Sequence, residues 1–182
     1  QLAQIPFVPT LLQVVTFFLT PFVAAGIYGM ADETLQDRDA RTSLSTLTRV
    51  GREKYVPLLL ANIVELGIVI AFGIVFAIVA VLVAFRVGIG TVAGGGSDLA
   101  IGGGLFVAVA VLGLLFLVFI LVTFFIQFFP VAVVVGDAGA IESFGDSYRL
   151  VRANLVPSLG YSLVQLVVSI AVTIPVSGFI FF

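Results

Sequence analysis

The residues able to do chemistry in this chain are few. Glu65 is the only acid set inside a long apolar run. Asn62 precedes it by one helical turn, so a helix carries both on one face. Ser162 and Gln165 repeat that spacing in a later run, and Thr20 and Gln127 each stand within another. A carboxyl among amides and hydroxyls can bind a proton or a cation inside a membrane, or it can lock helices together by hydrogen bonds. The second set is cationic. Arg49 with Arg52, and Arg149 with Arg152, form two pairs of the same spacing. Guanidinium groups so placed suit contacts to lipid phosphates.

Other chemistries are excluded by what is missing. The chain has no Cys and no His. That removes disulfides, thiol chemistry, Cys/His zinc sites and imidazole acid–base catalysis. One intramembrane acid cannot make a catalytic carboxylate pair. The Gly-rich run from Gly88 to Gly96 looks like a dinucleotide fingerprint, but the strand and the later acid that fingerprint needs are absent. No catalytic, cofactor or metal residue is assigned, and an enzyme is not expected. A net charge of −2 leaves no basic surface for nucleic acid.

The elements that must hold these residues are membrane helices. Apolar residues make up 61% of the 182 and charged ones 10%. Soluble domains have about 45–50% and about 25%. Four apolar stretches, 5–30, 55–85, 101–136 and 155–182, exceed the roughly 20 residues of a span. As one straight helix the third would reach roughly 54 Å, well beyond a hydrocarbon core of about 30 Å. Pro130 is the expected break, and Pro21 and Pro175 are expected kinks. Lys and Arg concentrate in 31–54 and 137–154, which places those loops in the cytoplasm and the Gly-rich connector 86–100 outside. The start of the chain then lies outside, so an earlier helix is expected upstream.

The two cationic loops also repeat. Arg49, Arg52, Val56 and Pro57 recur at one constant offset as Arg149, Arg152, Val156 and Pro157. Asn62 falls on Ser162 and Glu65 on Gln165 at that same offset. Upstream, Val15-Thr16-Phe17-Phe18 recurs as Val122-Thr123-Phe124-Phe125. Two parallel repeats are inferred, about 10–85 and about 117–182, in one membrane domain. Because Gln165 stands in the place of Glu65, a Glu65→Gln substitution is expected to fold.

Both loops read as short helices. Ile141, Phe144, Tyr148, Val151 and Leu155 share one face, opposite Ser143, Asp146, Arg149 and Arg152. Leu44, Leu47 and Val50 make a shorter stripe, with Thr42 or Ser43 as the cap. Such helices lie in the interface with apolar faces in acyl chains. Pro57 and Pro157 fall in first helical turns, where a missing N–H costs little. Gly73, Ala77, Ala80 and Ala84 form a small-residue seam suited to close helix contact. Phe124, Phe125, Phe128 and Phe129 are read as packing or lipid-facing residues.

The run Phe128-Phe129-Pro130-Val131, then Asp137, then Glu142-Ser143-Phe144 and Ser147 to Leu155, resembles a pattern in haloarchaeal multipass membrane proteins. A skew to Arg over Lys and Asp over Glu agrees with such a source. The pattern is more distantly similar to the membrane domain fused to some glycerophosphodiester phosphodiesterases. Gly29 to Glu33, followed by Leu47 to Tyr55, fits the first half of it. The resemblance implies a multipass membrane domain and carries no catalytic residues, since no phosphodiesterase domain is present.

The expected architecture is an all-α polytopic transmembrane helix bundle, four spans in two parallel repeats with amphipathic inner-face helices. The leading expected function is a non-catalytic structural or accessory component of a membrane complex, partnered by lipids and other membrane subunits. The alternative is a transporter or lipid-handling protein that uses Glu65 and the Arg pairs.

Overall fold

A computed structural model describes residues 7–36, 43–93 and 98–180. Among these the chain is entirely helical outside its turns: α1 (Phe7–Gln36), α2 (Leu44–Glu53), α3 (Tyr55–Ala93), α4 (Asp98–Ile126), α5 (Phe129–Val134), α6 (Glu142–Ala153) and α7 (Leu155–Ile180). Three segments are long and apolar enough to cross a membrane: Thr10–Gln36, Tyr55–Arg86 and Phe106–Val134. The α6–α7 pair makes a fourth if its two arms, bent by 106°, count as one broken span. Helices satisfy their own backbone groups, which a chain in hydrocarbon must do.

One departure from the expected layout lies in the Gly-rich connector. Most of the expected connector 86–100 is helix, because α3 runs through Ala93 and α4 begins at Asp98. Glycine costs a helix only about 1 kcal/mol relative to Ala, so two glycines among Val, Ile, Thr and Ala do not stop the helix that precedes them. Residues 94–97 lie outside the described residues, as do Arg38, Arg41 and Thr42.

The break at Pro130 is present. α4 ends at Ile126, and α5 opens at Phe129 with the proline in its first turn. α1 continues through Pro21, which is fully buried. Ser43 caps α2, its side chain accepting from Thr46 N at 3.3 Å. Pro57 and Pro157 lie in the first turns of α3 and α7.

The core gathers at the end of the bundle that carries α2 and α6. Ala25, Leu58, Ala61, Phe129, Val133 and Val134 are buried there, with Tyr28, Val50 and Phe144 against them. α1 and α2 meet at glycines. A Cβ on Gly26 would lie 2.6 Å from Leu47 Cγ and 2.8 Å from Leu47 O, and one on Gly29 would lie 2.6 Å from Val50 Cγ1. Two helices approach so closely only where a side chain is missing.

The buried faces differ from the expected stripes in three places. On α6 the fully buried residues are Ser143, Ser147 and Val151, while Ile141 is exposed. On α2, Leu44 is exposed and Thr46 and Gly51 are buried. On α3 the half-buried seam is Phe72, Phe76, Val79 and Val83, one residue before the expected Gly73, Ala77, Ala80 and Ala84. Phe72 meets Phe119 of α4 edge-on, with ring centroids 5.3 Å apart. Large side chains make that contact, and Ala77 and Ala80 leave an apolar groove beside it. In a membrane, burial does not sort apolar from polar, because lipid is as apolar as a core.

Lys54, at the α2–α3 junction, pairs with Asp137 in the turn after α5. Asp137 holds a left-handed φ of 57°, a region that Asp tolerates better than most residues. The hydrogen bond and charge of Lys54 lower the Asp137 carboxyl below its ordinary range. This tie between the two halves therefore holds above the ordinary carboxylate range and is released as pH falls through the lowered value.

Candidate intramembrane site

α3 turns one stripe inward, in which Leu58, Ala61, Asn62, Glu65, Ile68 and Phe72 are buried or half-buried. Asn62 and Glu65 thus face the bundle although their neighbours Ile63, Val64 and Leu66 are exposed. Counting from Tyr55, Glu65 lies roughly 15 Å along the helix, near the middle of a hydrocarbon core. The break after Ile126 turns Gln127 inward. Ser162 and Gln165 come from α7, and Thr20 from α1.

These six residues line one cavity of about 610 Å³. Its wall is completed by Tyr28, Thr123, Phe124, Phe129 and Tyr161, among others. A second cavity of about 550 Å³, lined by Leu12, Gln13, Thr16 and Val69, shares Thr20, Asn62 and Glu65 with the first. The polar pair of α3 therefore stands where the two spaces join. Every intramembrane residue singled out from the sequence is brought to this place.

Within the site, Ser162 Oγ lies 2.9 Å from Gln127 Oε1 and 2.9 Å from Ser158 O. A hydroxyl has one proton and cannot donate to both. Gln127 Nε2 is buried without a partner in this orientation. Turning the amide over lets Nε2 donate to Ser162 Oγ, which then donates to Ser158 O. Ser162 and Gln127 are thus committed to each other. The Glu65 carboxyl, by contrast, makes no hydrogen bond or ion pair among the described residues, and no Arg or Lys lines either cavity.

One residue that holds the site's framework is missed by reading the sequence. Ser147 Oγ donates to Phe125 O at 2.8 Å and accepts from Phe128 N at 3.0 Å. These are backbone groups left free by the break between α4 and α5. Ser147 is fully buried, so no water replaces it. Its signal is a serine on a helix next to a proline break whose orphaned groups need a partner.

The cationic candidates sit on α2 and α6, away from the cavities. Arg49 lies 4.0 Å from Glu53, and Arg149 pairs with Asp146. Arg52 and Arg152 make no ion pair among the described residues, and Arg52 borders a shallow groove with Phe18, Phe22 and Tyr55. No cluster of three or more metal-ligating side chains occurs among the described residues.

Fold and site together define an all-helical protein, with three to four helices fit to cross a membrane and a polar cavity between them. The chain belongs to the family described as domain of unknown function DUF7847, whose family model matches residues 1–182. No curated protein and no solved structure matches it.

Proposed function

We propose that this is a non-enzymatic membrane protein whose central cavity holds a small, membrane-partitioning molecule, as a transporter or a lipid-handling protein does. The observation that supports it is the convergence of Asn62, Glu65, Gln127, Ser162 and Gln165, from three separate parts of the chain, on one cavity. Polar groups needed only to hold helices together would be packed against one another, as Gln127 and Ser162 are. Glu65 instead borders open space on two sides.

The accompanying topology is four spans in two parallel repeats. α2 and α6 lie in the cytoplasmic interface as amphipathic helices, and the connection between α3 and α4 lies outside. Of the four arginines on α2 and α6, Arg52 and Arg152 are free to meet lipid phosphates, since Arg49 and Arg149 face acids of their own helices. A structural or accessory role within a larger membrane complex is the second reading. It is favoured by the apolar face of α7, where Leu163, Val164, Val167 and Ile170 are all about half exposed or more.

The test is native mass spectrometry of the protein purified in mild detergent. A small molecule bound to the wild type and lost from a Glu65→Leu, Gln165→Leu variant is the expected result. Glu65→Gln should fold normally and serve as the structural control. The same spectrum from wild type and variant, with a second protein subunit in both, would replace this reading with the accessory one.

A further inference from the structure

We propose that the ligand of this cavity is a lipophilic organic cation, engaged by Glu65 and the aromatic rings around it. The inference rests on the cavity reading above and names its ligand class. Glu65 is the one carboxyl lining either space, and it has no partner among the described residues. No arginine or lysine lines the walls, so an anion would meet repulsion without compensation. A neutral ligand would make no use of the carboxyl's charge, and Glu65 would then take up a proton rather than stay ionised beside it. A small inorganic cation needs several oxygen ligands in a close shell, whereas this site offers one acid amid rings.

An organic cation meets what the walls provide. The rings of Tyr28, Phe124 and Tyr161 line the same space, and aromatic rings attract cations by their quadrupoles. The amide oxygen of Asn62 adds an acceptor beside Glu65. Entry from the lipid suits such a ligand as well, because Tyr161 and the α7 face beside it are half exposed.

The test uses tetraphenylphosphonium as the probe with the full chain in mild detergent. Saturable binding should fall at least tenfold in Glu65→Gln, whose melting temperature should match the wild type. Tyr161→Leu should weaken it by a smaller factor, and Ile78→Ala, on an exposed face of α3, should not. In parallel, an Asn62→Cys variant is labelled with a water-soluble maleimide, with and without the probe. Protection of the cysteine by the probe supports the proposal. A cysteine that labels equally with and without the probe, alongside equal binding by wild type and Glu65→Gln, overturns the cation and leaves the cavity standing. A cysteine that never labels removes the cavity, and this proposal with it.

Discussion

Gly26→Leu is expected to separate α2 from α1 and to cause the largest stability loss of any single change at the α2/α6 end. The leucine Cβ alone would sit 2.8 Å from the Leu47 carbonyl, which is backbone and cannot swing aside. Even one extra carbon in a tight contact costs about 1–3 kcal/mol, and a full leucine forces the helices apart. Gly26→Ala should therefore destabilise, although alanine is the better helix former. Gly145 gives the contrast. It lies on α6, and a Cβ there would meet no atom within 4 Å, so Gly145→Ala should be neutral or stabilising by up to about 1 kcal/mol. Thermal unfolding in detergent measures both signs. Hydrogen exchange should show the α2 amides losing protection in Gly26→Leu while those of α3 keep theirs. Equal behaviour of the Gly26 and Gly145 alanines would show that α1 and α2 do not meet this closely.

Ser147→Ala is the second large effect. The change removes one oxygen, and it strands both Phe128 N–H and Phe125 C=O in a dry site. A buried group without a partner costs about 1–3 kcal/mol, so the loss should exceed that of an ordinary surface serine several-fold. The effect should depend on the proline. Pro130→Ala restores an N–H at the break and lets the α4 ladder close on itself, so the double variant should lose less than the two single changes added together. Unfolding midpoints of the four proteins give the coupling directly. Strict additivity would mean that Ser147 does not serve the break.

These two residues also show what a sequence reveals here and what it conceals. The cavity residues are legible because a polar side chain within an apolar run is rare and must find company inside the bundle. Their spacing puts each pair on one helix face, and one cavity is lined by both pairs. The Pro130 break is legible for the same kind of reason, since proline has no N–H to give. The buried faces of α6 and α3 are not legible. Ile141 satisfies its surroundings in lipid as well as in a core, so its apolar character carries no direction. Polarity alone points Ser143 and Ser147 outward, yet small hydroxyls are what close helix contacts use. Glycines at 88 and 90 suggest a loop, yet α3 continues through them to Ala93, because isolated glycines only weaken a helix. Pairing across the bundle, as between Lys54 and Asp137, depends on the three-dimensional path and leaves no mark in either loop.

The central claim is that Glu65 and Asn62 border an open cavity rather than a dry helix contact or lipid. The absence of native cysteine makes a direct measurement simple. Single cysteines at positions 62, 165 and 70 are introduced one at a time, and each variant is exposed in vesicles to a charged, membrane-impermeant thiol reagent. Asn62→Cys and Gln165→Cys should label readily, and Ile70→Cys, half exposed on the outer side of α3, should not. Labelling rates at 62 and 165 as slow as at 70 would contradict the account.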